Sequence, residues 1–134
     1  MSMDQTVLEA KRIGVYSCKT DCKLGVAVRL MVDEEISALV VVDEAGCLAG
    51  IITRTDLLRA GMKSENWEAE PVEKYMSPNV VTVTETARLS TVAGLLLEQH
   101  IHRVVVVREE EGGKRRPIAV VSSADLVYHM VNVL

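Results

Sequence analysis

The strongest constraint in this sequence is that it contains the same unit twice. Two stretches align without a gap at an offset of about 65 residues, placing Val15 on Val80, Leu24 on Leu89, Leu30 on Leu95 and Ile36 on Ile101. Val40, Val41 and Val42 then fall on Val105, Val106 and Val107. The second copy carries about four extra residues in the loop that includes Gly113 to Pro117, after which Thr53 falls on Ser122, Asp56 on Asp125 and Leu57 on Leu126. The fold must therefore be built from two like halves, each of roughly 50 to 60 residues and short of core on its own. The repeats divide the chain into a first copy over 1–62, a linker over 63–75 and a second copy over 76–134.

Each copy reads alike. A short β-rich segment (Ile13 to Cys18; Asn79 to Thr84) leads into apolar residues at helical spacing: Leu24, Ala27, Val28, Met31 and Val32, against Leu89, Val92, Ala93, Leu96 and Leu97. The runs Leu39 to Val42 and Val104 to Val107 are continuously apolar, as suits strands covered on both faces. Polar, glycine-bearing turns follow, Asp43 to Gly46 and Glu109 to Gly113, which predict hairpins to return strands Leu48 to Ile52 and Ile118 to Val121. Second helices are predicted over Thr55 to Ala60 and Ala124 to Val133. Each unit is β-α-β-β-α, and the class is α/β (α+β), two pseudo-symmetric repeats expected to pack through their sheets. Trp67, in the linker, is expected to pack rather than bind.

Composition narrows the function. A net charge of −4, with both signs interspersed, gives no electrostatic reason to bind nucleic acid or an anionic membrane. The segment Met1 to Ala10 lacks the basic start and apolar run of a signal peptide, and no stretch approaches the ~18 apolar residues of a membrane span. A cytoplasmic location is expected. Cys18, Cys22 and Cys47 lack metal-ligand spacing, and His100, His102 and His129 lack accompanying carboxylates or thiols, so no metal is expected. Neither a phosphate-binding glycine motif nor a nucleophile elbow is present, and the chain reads as a non-enzyme.

The residues that carry chemistry lie at the strand-to-helix junctions GIITRTDLL and AVVSSADLV. Thr53 with Asp56, and Ser122 with Asp125, have the spacing of a helix capping box. The same place suits a nucleotide: helix amides and the dipole favour phosphate, and a carboxylate suits two ribose hydroxyls. Val15 and Val80 could wall a base, and His102 with Arg103 could supply cationic character beside the second junction. The first copy has Ser37 and Ala38 at those positions, so the two junctions should differ in phosphate affinity.

These blocks resemble the CBS domain family in its tandem arrangement, the Bateman module. The stretches that carry the resemblance are ISALVVVDEAGCLAGIITRTDLL in the first copy and YMSPNVVTV, IHRVVVV and AVVSSADLV in the second. It implies a regulatory module that binds an adenosine-containing ligand (AMP, ADP, ATP or S-adenosylmethionine) in a cleft between the repeats, with no cofactor. It also implies that Thr53, Asp56, Ser122 and Asp125 contact phosphate and ribose, with His102 and Arg103 as a phosphate-binding pair. The leading segment of the opposite copy should line the base, pairing Asp125 with Gly14 to Thr20 and Asp56 with Ser77 to Val83. Ala124 departs from the pattern, where Thr55 offers a hydroxyl in the first copy. A homodimer through the second helices and an unidentified regulated protein are further expectations. The alternative is a structural dimerisation module whose junctions only cap helices.

Overall fold

The computed structural model describes residues 2–10 and 14–132, so Ile13 and Val133, expected at element ends, lie outside the described residues. The chain opens with a short 3-10 helix at Ser2–Asp4 and a single turn α1 (Val7–Ala10). The first repeat follows as β1 (Ser17–Lys19), α2 (Leu24–Asp33), β2 (Ala38–Val42), β3 (Leu48–Thr53) and α3 (Arg54–Lys63). The second is β4 (Thr82–Thr84), α4 (Leu89–Gln99), β5 (Arg103–Glu109), β6 (Arg115–Ser122) and α5 (Ser123–Asn132). The β-α-β-β-α reading holds in both.

The two sheets have the same build. β1 lies parallel to β2 and β2 antiparallel to β3; β4, β5 and β6 repeat the pattern. Even the irregularities correspond, with a register shift between Val41 and Val42 and another between Val106 and Val107. The continuous apolar runs are central strands, which is why Leu39 to Val41 and Val104 to Val107 are buried. Both first helices also end alike: Glu35 and His100 take the left-handed conformation at φ 54° and 53°. The next residues, Ile36 and Ile101, donate their amides back to Met31 and Leu96 at 3.0 and 3.2 Å and pack on the core. These are Schellman caps, closed by an apolar contact rather than by glycine.

The chain packs as two compact units that do not follow its repeats in order. One comprises Tyr16–Val80; the other joins Met1–Val15 to Val81–Leu134. Residues ahead of the first repeat therefore fold onto the second. Val7 is buried in the core of that unit beside Leu89 and Val92, the amides of Val7 and Leu8 donate to the carbonyls of Ala87 and Glu85, and the Arg88 guanidinium bonds the Asp4 carbonyl. The stretch between the copies is likewise no slack connector. Val72 is fully buried, the Val72 amide donates to the Cys22 carbonyl at 2.7 Å, and Trp67 and Tyr75 pack against the core of Leu24, Leu39 and Ile52. The division made by packing thus differs from the sequence division at 62 and 76, because apolar anchors such as Val7 and Val72 stand singly and carry no period.

The expected leading strands are shorter than Ile13 to Cys18 and Asn79 to Thr84. Gly14 has φ 149°, a backbone that glycine adopts readily, and regular pairing begins only at Ser17 and Thr82. The residues ahead of those points do something else. Ser77 bridges Ile51 on β3, and the Gly14 amide donates to the Ile118 carbonyl on β6 at 2.8 Å. β3 and β6 are outer strands of their sheets. Each has its open backbone edge partly occupied by the leading segment of the other repeat, which shields groups that would otherwise seek a partner strand.

Candidate functional site

Both strand-to-helix junctions fold as capping boxes. At the first, the Thr53 amide and hydroxyl donate to Asp56 Oδ2 at 2.8 and 3.1 Å, and the Thr53 hydroxyl accepts the Asp56 amide. At the second, Ser122 donates to Asp125 Oδ2 at the same 2.8 and 3.1 Å, and the Asp125 amide donates to Ser122 Oγ at 3.2 Å. The first helical amide is taken as well: Arg54 donates to the Ser37 carbonyl at 3.3 Å and Ser123 to the His102 carbonyl at 2.9 Å. Those bonds leave the exposed second-position amides, of Thr55 and Ala124, to solvent or a ligand. Thr55 adds a hydroxyl there and Ala124 does not, so the two ends differ in donors as the sequence suggests.

Strand register settles where the basic pair of the second repeat lies. Arg103, the first residue of β5, stands directly opposite Ser122, the last of β6, so Arg103, Ser122 and Asp125 share one corner. Arg103 is half-buried, whereas His102 is exposed and contributes its carbonyl to the start of α5. In the first repeat Ala38 stands opposite Thr53. A cation reaches that junction from a different direction: Arg59, one turn along α3, bonds Asp56 Oδ1 at 3.1 Å. Sequence reading passed over Arg59, although an aspartate three positions before an arginine on a helix is the pattern that reveals such a pair.

The leading segments divide between the packing units: Gly14 and Val15 go with Asp125 and Ser77 to Val80 with Asp56, while Tyr16 to Thr20 and Val81 to Val83 belong to the opposite unit in each case. Val15 belongs to the unit that holds Asp125, and Val80 to the unit that holds Asp56; both valines are half-buried. The anchors are Gly14 on Ile118, four residues ahead of Ser122, and Ser77 on Ile51, two ahead of Thr53. Gly50 makes the second approach possible, since a Cβ there would stand 2.6 Å from the Ser77 carbonyl oxygen and 2.8 Å from Met76 Sδ. Gly50→Ala is accordingly expected to push residues 76–80 off β3 and to lower stability by about 1–3 kcal/mol. Urea unfolding checks this, with loss of protection at the Ser77 amide in hydrogen exchange as the local readout.

One further concavity needs placing. A groove of about 800 Å³ lies between α2 and α3, lined by Met31, Val32, Leu57, Leu58, Met62 and Trp67 among others. It shares none of the predicted ligand residues, although Arg54 reaches its rim. Among the described residues no cluster of three or more His, Cys, Asp or Glu could hold a metal ion, and no helix is long and apolar enough to cross a membrane.

Comparison with known proteins follows the same outline. The CBS domain profile matches residues 9–63 and again 72–132. The protein MJ1404 of Methanocaldococcus jannaschii is 32% identical over 101 residues, covering 75% of this chain and 23% of its own length. A 17.7 kDa protein of Acidianus ambivalens is 28% identical over 119 residues, covering 89% of this chain and 69% of its own. The chain thus spans about a quarter of the first relative and about two thirds of the second. Among solved structures, the CBS domain pair of protein MJ0100, in complex with 5′-methylthioadenosine and S-adenosyl-L-methionine, superposes with a TM-score of 0.83. It is 25% identical, and the match covers 97% of this chain and 98% of that one. With two profile matches over nearly all of its described length and the same paired β-α-β-β-α build, this chain belongs to the CBS domain family and carries two CBS domains in tandem.

Proposed function

We propose that this chain is a regulatory module that binds an adenosine-containing small molecule at its strand-to-helix junctions, the second junction being the stronger site for a phosphorylated ligand. The observation that carries the reading is the corner at Ser122: a carboxylate and a hydroxyl at a helix start, with Arg103 directly across the strand pair. Asp125 suits the ribose diol, the Ala124 amide and the helix dipole suit an anion, and Arg103 supplies the charge. At the first junction Arg59 already occupies Asp56, but its side chain is 56% exposed and free to swing aside for a diol. The related CBS pair bound to 5′-methylthioadenosine and S-adenosyl-L-methionine supports the adenosine class. No catalytic step is assigned to the chain, and its three free cysteines suit the reducing cytoplasm.

A thermal-shift titration with AMP, ADP, ATP, S-adenosylmethionine and 5′-methylthioadenosine tests the assignment, because a ligand that binds only the native state raises the melting temperature. At a hundredfold excess over Kd the native state gains about 2.7 kcal/mol. No shift from any of them at millimolar concentration would remove the reading.

The helices motivate a second role, a homodimer. Val32, Leu58 and Met62 leave a largely exposed apolar face on the first unit, and Leu97, Val127, Tyr128, Met130 and Val131 do so on the second. Met62→Glu, at a position 88% exposed, is expected to leave the fold intact and shift sedimentation from dimer to monomer. A wild-type chain that sediments as a monomer at all concentrations would end that role.

A further inference from the structure

The two oxygens of Asp56 have separate tasks. Oδ2 accepts the Thr53 amide and hydroxyl and so belongs to the helix cap, whereas Oδ1 accepts Arg59 Nη1 at 3.1 Å. The Asp56 side chain is 13% exposed and the Arg59 side chain 56%, so the carboxylate is nearly covered while its cation stands in water. Asp56, Arg59 and Lys63 follow one another at three and four residues, along one face of α3. In α5 the corresponding residues are Asp125, Tyr128 and Asn132, and neither later place holds a cation.

The surroundings of Arg59 keep it on that oxygen. A pocket of about 450 Å³ is lined by Arg59, Lys63, Ser64, Glu70, Lys74 and Tyr75. Among these described lining residues Glu70 is the only carboxylate, and both of its oxygens are engaged. Lys74 Nζ donates to Oε1 at 2.7 Å and the Tyr75 hydroxyl to Oε2 at 2.6 Å. A guanidinium that leaves Asp56 therefore meets the like charges of Lys63 and Lys74 and no unengaged carboxylate in the pocket.

A ribose diol needs the oxygen that Arg59 holds, because Oδ2 already accepts two bonds. An uncharged adenosine compound that takes Oδ1 leaves the released guanidinium uncompensated, whereas a phosphorylated one brings an anion for it to pair with. We propose that Arg59 is the specificity-determining residue of the first junction: it competes with the ligand's ribose for Asp56 and so favours phosphorylated adenosine ligands over uncharged ones. This selectivity presupposes the adenosine-binding reading above and adds to it a difference between the junctions. At the second, Arg103 approaches from the facing strand and Tyr128 stands in the place of Arg59, so the helix carries no cationic competitor at that position.

Calorimetry on the Asp125→Ala chain, in which the second junction is disabled, isolates the first. Adding Arg59→Ala should tighten 5′-methylthioadenosine about three- to fivefold, the size expected of an ion pair whose cation is open to water, and should not tighten AMP. Arg59→Lys, which keeps the charge, should retain most of the preference for AMP. Raising salt from about 50 to about 500 mM should tighten 5′-methylthioadenosine where Arg59 is present and leave the Arg59→Ala chain unmoved, a response that loss of packing alone would not produce. Equal affinities for 5′-methylthioadenosine with and without Arg59, or a gain that AMP shares in full, overturns the proposal. So does a first junction that takes neither ligand in any of these chains while the chain with Asp125 intact binds them; if that intact chain binds neither, the adenosine reading falls as well. Should the double variant fail to fold, the amide shifts of Thr53 and Thr55 during titration of the Asp125-containing chains, with and without Arg59, give the same comparison.

Discussion

Asp125→Ala is expected to lower the affinity for adenosine-containing ligands at least tenfold, since hydrogen bonds to a charged group contribute about 1.5–3 kcal/mol. It should also cost about 0.5–2 kcal/mol of stability, because the same carboxylate accepts the Ser122 amide at 2.8 Å and caps α5. The two effects are separable. Arg103→Ala leaves the box of Ser122 and Asp125 in place, so it should weaken AMP, ADP and ATP and spare 5′-methylthioadenosine, which has no phosphate. Calorimetry on both variants, with urea unfolding alongside, gives the answer. If Asp125→Ala lowers stability while every binding isotherm stays unchanged, the junction is a helix cap alone and the dimerisation reading takes its place.

Leu89→Ala should cost about 2–5 kcal/mol, the range for emptying a leucine site in a packed core. Leu89 is 2% exposed among Val7, Val92 and Leu96, and its amide donates to the Gln5 carbonyl at 2.9 Å. The informative part is where the damage spreads. In hydrogen exchange the amides of Val7 and Leu8, more than eighty residues earlier in sequence and bonded to Ala87 and Glu85, should lose protection together with β5. Leu24→Ala, fully buried in the other unit, should unprotect β2 and the Val72 amide at similar cost. If Val7 and Leu8 follow Leu24 rather than Leu89, residues 1–15 do not belong with residues 81–134.

What could be read from the sequence was whatever repeats or has a period. The helices of Leu24 and Leu89, the buried runs at Val40 and Val105, the hairpins and the boxes at Thr53 and Ser122 each carry a pattern set by backbone geometry. The alignment of the copies also pointed to the inequality between Arg103 and Ala38, which the strand register places opposite Ser122 and Thr53. Single anchors left no such trace. Val7 and Val72 become core residues only because of what they meet, and Gly50 is needed only because Ser77 lies across it, whereas Trp67 packs against the first unit's core as expected. Arg59 could have been found from its spacing to Asp56.

The exchange of leading segments bears on how such a chain could arise. A peptide holding one repeat alone has a leading strip with nowhere of its own to lie and an outer strand left bare. Two separate copies can satisfy each other only by trading strips, one onto each outer strand, and a swapped pair of identical peptides is the simplest ancestor with that geometry. Joining the genes end to end changes none of its hydrogen bonds. What fusion frees is the sequence: once the halves are encoded separately, one can keep an arginine opposite its junction and the other an alanine.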